Sequence, residues 1–187
     1  NLVNVKWLEK NLENANVLIL DASPTQIYTT QHIPGAVSVD LLTWYGLQEM
    51  PVAEMEQIYQ SWGISSGKKI VMYDQGGSMN ATRLFFNLYY HGFPAKDLLI
   101  LDGGLSKWQE AGLAVTKDPT PAKKNGSFKI AKFKEDARVW LPEFVTASGD
   151  PANNALLEAL GANWHFGELA VFDRSGHIPN GILLPSN

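Results

Sequence analysis

The sequence predicts an α/β fold in which a parallel sheet is covered by helices on both faces. Three observations predict it. Val17-Leu18-Ile19-Leu20, Ile70-Val71-Met72-Tyr73 and Leu98-Leu99-Ile100-Leu101 are short apolar runs without alternation, as strands buried on both faces are. Each run ends at an aspartate: Asp21, Asp74 or Asp102. After each comes a polar or glycine-bearing break and then apolar residues at helical spacing, the strand–helix alternation of a parallel sheet.

Taken in order, Val5 to Leu12 reads as a short helix with Trp7, Leu8 and Leu12 on one side, closed by Glu13-Asn14-Ala15-Asn16. The strand Val17 to Leu20 follows. Ser23-Pro24 starts a helix carrying Ile27 and Tyr28 by the cap-then-proline signal. His32-Ile33-Pro34-Gly35-Ala36 is a turn leading into a short strand before Asp40. Val52 to Trp62 has helical spacing (Met55, Ile58, Tyr59, Trp62) and stops at Gly63. The helix after Asp102-Gly103-Gly104 carries Leu105 and the core residue Trp108, and ends at Gly112.

The stretch from Lys69 to Arg83 is the chemical centre. A strand, the break Asp74-Gln75-Gly76-Gly77, and a helix with Leu84, Phe85, Leu88 and Tyr89 on one side make an anion site of the α/β type, with loop amides and a helix dipole converging. Ser78 or Asn80 is expected to cap that helix. The loop has no Lys or Arg before Arg83, no His and no Cys. Asp74 opposes an incoming anion, and its main reading is that it bonds loop amides and holds the turn shut. Asp74 as a phosphoryl-transfer nucleophile, which needs a metal and a second acid, and Ser78 as a nucleophile, which needs a His base, are the rival readings.

Composition narrows the function classes. With 187 residues, 45% hydrophobic and 18% charged, the chain is long enough for one domain or one and a half. A net charge of -4 offers no basic face for nucleic acid or anionic membrane. No run approaches the ~18 apolar residues of a membrane span, and no signal peptide opens the chain. Asn1 in place of Met reads as a processed or trimmed start. The absence of cysteine removes disulfides, thiolate metal sites and cysteine chemistry from these residues, while the compartment stays open.

From Thr116 to Asn125 the composition turns to Pro, Lys, Asp and Thr, a linker; Phe128 to Phe133 alternates apolar residues with Lys, which suits an edge strand or a clamp. Leu141 to Val145 is a strand-like run, with no evident counterpart of Leu20-Asp21-Ala22 after it. Gly176-His177-Ile178-Pro179-Asn180-Gly181-Ile182-Leu183-Leu184 repeats the stretch from Gln31 to Val39, about 145 residues later, which points to a duplicated domain. The loop of the second copy is expected beyond Asn187.

His32-Ile-Pro-Gly-Ala36, the loop after Tyr73, and Leu101-Asp-Gly-Gly-Leu-Ser-Lys-Trp108 together resemble the rhodanese (thiosulfate sulfurtransferase) homology domain. The resemblance implies a five-stranded parallel sheet flanked by helices, often in a tandem pair whose C-terminal copy carries a persulfide-forming cysteine. It divides the chain into a rhodanese-like domain over 1–116, a linker or edge segment over 117–136, and the start of a second, incomplete rhodanese-like unit over 137–187.

It also implies that Asp74 stands where the nucleophilic cysteine would be, in a degenerate active-site loop of Asp74, Gln75, Gly76, Gly77, Ser78, Met79 and Asn80. Asp21, Arg83, His32 and Asp102 are read as structural, with Asp21 and Arg83 forming a buried ion pair. His32 and His177 are read as bracing their turns, and Arg174 and His165 as candidates for a substrate-side role.

The implied reaction moves sulfane sulfur from a small donor anion, thiosulfate or 3-mercaptopyruvate, to a thiol or cyanide acceptor. It needs no cofactor or metal. The catalytic cysteine would lie past Asn187, and the first domain would be a structural copy, partnered by a second rhodanese-like domain. The alternative is a rhodanese-like binding or regulatory module without a catalytic copy.

Overall fold

The computed structural model describes residues 1–41, 49–120, 125–170 and 173–185. They form two compact units, Asn1–Lys134 and Glu135–Asn187.

The first unit is built on a five-stranded sheet with every pairing parallel, in the order β1-β5-β4-β2-β3. Its strands are β1 (Leu2–Val3), β2 (Val17–Asp21), β3 (Val37–Ser38), β4 (Lys69–Tyr73) and β5 (Leu98–Leu101). The three apolar runs of the sequence are β2, β4 and β5, adjacent at the centre of the sheet. Residues of one strand divide between two cores, which is why these runs show no alternation of polar and apolar residues. Leu18, Leu20, Ile70 and Met72 face one core; Val17, Ile19, Val71 and Tyr73 face the other.

The first core is closed by α3 (Val52–Ser61) and α4 (Asn80–Tyr90), through Met55, Tyr59, Leu84 and Leu88. The second is closed by Leu8 of α1 (Val5–Lys10) and by Leu105 and Trp108 of α5 (Gly104–Glu110). Between β2 and β3 runs α2 (Thr25–Thr30). Ser23-Pro24 does mark its start, but Pro24 occupies the cap position and no side chain caps it.

The segment after Gly126 is a clamp, not an edge strand. Its backbone bonds helices and loops of the first unit: Gly126 N–H to Gln60 O at 2.7 Å, Phe128 N–H to Ile64 O at 3.1 Å, and Lys134 N–H to Tyr90 O at 2.8 Å. Glu56 holds its middle, accepting from Ile130 N–H at 2.8 Å and from Lys129 Nζ at 2.7 Å. Phe128 is buried against Tyr59 and Phe93. Beneath the clamp, the Tyr59 hydroxyl meets His91 Nδ1 at 2.5 Å, and burial holds the His91 imidazole down at about 4. Residues 121–124 of the expected linker lie outside the described residues.

The second unit contains α6 (Leu141–Ser148), β6 (Leu156–Glu158), α7 (Ala162–His165) and β7 (Gly181–Leu183). Here the structure corrects the sequence: Leu141 to Val145, expected as a strand, is the first half of α6. Pro142 sits in the first turn, where its missing N–H costs nothing, and the Glu143 carboxylate accepts from Trp140 N–H at 2.7 Å. These start signals outweigh the apolar run.

The missing counterpart of Leu20-Asp21-Ala22 is Leu157-Glu158-Ala159. In the first unit Leu20 and Asp21 pair with Val37 and Ser38; in the second, Leu157 and Glu158 pair with Ile182 and Leu183. Strand, helix, turn and parallel strand recur in the same order and register.

Candidate functional site

The site of the first unit lies at the carboxyl end of β4, where the chain leaves the sheet through Asp74 and re-enters helix at α4. Asp74 is buried, and both of its oxygens are engaged. Oδ1 accepts from Gly76 N–H at 2.9 Å and Oδ2 from Ala81 N–H at 3.0 Å. The second bond corrects the expected cap. Met79 occupies the cap position of α4 with no side-chain bond, Ser78 Oγ takes only Asn80 N–H at 3.4 Å, and the Asn80 side chain does not cap. The acceptor that a helix start requires comes from the strand end seven residues upstream.

The same loop serves a second helix start. Asp74 O accepts from Leu105 N–H at 2.8 Å, and Gln75 O accepts from Ser106 N–H at 3.1 Å and from the Ser106 hydroxyl at 2.6 Å. Two positive helix ends thus meet the loop, one neutralised by the Asp74 carboxylate and the other by backbone carbonyls. The approach is close enough to require glycine on both sides. A Cβ on Gly104 would lie 2.4 Å from Asp74 O, and one on Gly76 would lie 2.9 Å from Gly103 O, both with positive φ.

The arrangement has chemical consequences. The amides of Gly76 and Ala81, which face the loop interior, already hold an anion, and it is the side chain of Asp74. Ser78 makes no hydrogen bond to a histidine among the described residues. Among the described residues no group of three or more His, Asp or Glu is suited to a metal ion, and no helix there is long and apolar enough to cross a membrane.

Asp21 ends β2 beside this loop. It is buried and accepts from Ser23 N–H at 2.8 Å. Burial pushes its carboxyl above the usual carboxylate range, against the opposite pull of Ser23, Tyr73 and His32. The expected ion pair with Arg83 does not form: Asp21 is in none of the ion pairs among the described residues, and Arg83 is half-buried on α4. A buried carboxyl with neutral donors around it does not demand a guanidinium. Burial, with Asp21 beside it, also pushes the Tyr73 phenol up, and that phenol accepts from Ile33 N–H at 3.0 Å. Asp102 pairs with Lys107 at the exposed start of α5. His32 is buried, stacks on Tyr28 with ring centroids 3.8 Å apart, and donates from Nδ1 to Tyr28 O at 2.8 Å.

In the second unit, His165 and Arg174 lie in one neighbourhood. A cavity of about 470 Å³ is lined by Glu158, Trp164, Leu169, Arg174, Ser175 and His177, among others. His165 is buried behind this wall, with Nδ1 2.5 Å from Glu158 Oε2. Sequence reasoning missed Glu158. The signal available was the triplet Leu157-Glu158-Ala159 ahead of the repeated turn, obscured by the change from Asp to Glu.

A family model described as a rhodanese-like domain matches residues 4–111. This chain belongs to the rhodanese-like domain family. Relatives along almost its whole length are sulfur-handling proteins. The chain is 28% identical to the 3-mercaptopyruvate sulfurtransferase of Escherichia coli, covering 98% of this chain and 70% of that protein. It is 26% identical to the sulfur carrier protein TtuD of Thermus thermophilus, covering 98% of this chain and 69% of that protein. The crystal structure of SseA from Escherichia coli, a 3-mercaptopyruvate enzyme with the rhodanese fold, superposes with a TM-score of 0.83 at 25% identity, covering 98% of this chain and 74% of that one. The rhodanese-like sheet of the first unit is the five-stranded parallel sheet that the motifs imply.

Proposed function

We propose that these residues are part of a tandem-domain sulfurtransferase, in which the first rhodanese-like unit is a structural copy and the segment over 137–187 begins a second. The observation that carries this reading is the Asp74 carboxylate, which occupies the loop interior and satisfies Gly76 and Ala81 from within. In this reading Asp74 replaces the nucleophilic cysteine. A carboxylate neither stores a transferable sulfur nor tolerates an approaching anion.

The working nucleophile is then a cysteine outside residues 1–187. Its thiolate attacks the outer sulfur of thiosulfate, or the mercapto sulfur of 3-mercaptopyruvate: a new sulfur–sulfur bond forms as the donor's S–S or C–S bond breaks, releasing sulfite or the enolate of pyruvate, which takes up the donor thiol's proton. A thiol or cyanide then takes the persulfide's outer sulfur and returns the thiolate. Arg174, a cation on the cavity wall of the second unit, serves the donor anion, and His165 acts from behind that wall.

The test compares the 187-residue chain with the product of its full reading frame. After incubation with thiosulfate, intact mass of the parent rises by about one sulfur atom, located on a cysteine, and the parent transfers sulfur to cyanide. The 187-residue chain gains no sulfur and shows no turnover. Sulfur transfer by the short chain alone would sink the structural-copy reading. A parent that gains no sulfur would point instead to a binding or regulatory module.

A further inference from the structure

The second unit rebuilds the brace of the first with two exchanges. In the first, Asp21 ends β2, Tyr28 stacks on His32, and His32 Nδ1 donates to Tyr28 O. In the second, Glu158 ends β6, and His165 stacks on His177 with centroids 3.7 Å apart and planes 11° from parallel. His177 Nδ1 donates to His165 O at 2.9 Å. His165 therefore stands where Tyr28 stands, and Glu158 where Asp21 stands.

The exchange changes the chemistry of the brace while keeping its geometry. The Tyr28 hydroxyl donates to Ala36 O at 2.9 Å, a neutral bond between fixed partners. The His165 ring instead meets the Glu158 carboxylate, and a histidine gains and loses a proton in the neutral range. Glu158 also lines the cavity that Arg174 lines, and Arg174 is in none of the ion pairs among the described residues.

Resting on the reading of this cavity as substrate-side, we infer that the Glu158–His165 pair sets the charge of the cavity and admits a small anion such as thiosulfate when His165 carries a proton. With that proton the pair is neutral overall and Arg174 dominates. Without it, Glu158 remains a carboxylate on the same wall and opposes the anion. The groups facing His165 are Glu158 from β6 and His177 from the turn before β7, with Phe166 adding only a ring edge. One unit charge on the wall of such a cavity, at an effective dielectric of about 40, changes small-anion affinity by about tenfold.

The test is calorimetric titration of the 187-residue chain with sodium thiosulfate from acid to alkaline pH, at constant ionic strength. Wild-type affinity falls about tenfold on going alkaline, and Arg174→Gln abolishes binding. Glu158→Gln removes the opposing charge and tightens alkaline binding about tenfold. His165→Tyr installs the first unit's own residue, keeps the stack, and lowers acid-side binding to the wild-type alkaline level. Opposite shifts in two variants of one pair are beyond a purely structural brace. Arg174-dependent binding with a flat pH profile, or Glu158→Gln weakening binding throughout, overturns this inference alone. Absence of any Arg174-dependent binding overturns the substrate-side reading and this inference with it.

Discussion

Asp74 Oδ2 and Ala81 N lie 3.0 Å apart, joining the last residue of a strand's exit to the first turn of the following helix. With Gly76 N–H on the other oxygen, one side chain shapes the loop and caps α4.

Asp74→Ala is therefore expected to cost about 2–3 kcal/mol, the loss of a helix cap together with a buried loop bond. Asp74→Asn keeps one acceptor and is expected to cost about half of that. Urea denaturation of the three proteins checks both values. Equal stability of wild type and Asp74→Ala would remove the loop-closing role.

His91 predicts an acid-sensitive fold. Its imidazole titrates at about 4 in the folded state, below the ~6.5 of an unfolded histidine, so the unfolded chain binds more protons between these values. Stability is thus fully present above about pH 6.5 and is lost as pH falls toward 4, by at most about 3 kcal/mol. Urea midpoints measured from pH 4.5 to 7.5 should show this slope, and His91→Gln should flatten it.

Asp21 predicts the opposite sign. Its folded carboxyl titrates above its unfolded value, so its contribution is fully present at low pH and declines as pH rises through the folded value. Asp21→Asn retains an acceptor for Ser23 N–H and removes the buried charge. Its melting temperature should exceed that of wild type at pH 7, and the gain should shrink toward pH 4. A gain independent of pH would assign the effect to packing.

How much of this was legible beforehand follows from sequence distance. The buried strands were readable because a strand covered on both faces writes itself as an unbroken apolar run, as at Ile70 to Tyr73. The Asp74 cap was not readable, because its acceptor and donor are separated by a loop whose path sequence does not give. The Tyr59–His91 contact joins residues 32 apart, one in α3 and the other just past the end of α4. In the second unit the brace was hidden by spacing: Tyr28 precedes His32 by 4 residues, but His165 precedes His177 by 12. Leu141 to Val145 was misread because its apolar density outweighed the start signals of Pro142 and Glu143.

Glu56 holds the clamp from α3 through two bonds, so Glu56→Ala should release residues 126–134. Trypsin should then cut after Lys129, Lys132 or Lys134 faster than in wild type, with the remainder of the first unit still protected. Unchanged cleavage rates would mean that Phe128 and the backbone bonds hold the segment without Glu56.

In the second unit only Leu156 and His165 are buried among the described residues, whereas every residue of β2 is buried. Amide exchange of β6 and β7 should therefore be faster than that of β2 and β4. Equal protection in a hydrogen-exchange experiment would contradict this ordering.

The two bonds made by Asp74 also bear on evolutionary reversibility. A thiol at position 74 offers no good acceptor to Gly76 N–H or Ala81 N–H, so a single change to cysteine would lose the loop's shape before it gained a nucleophile. Under the proposed reading the aspartate acts as a ratchet.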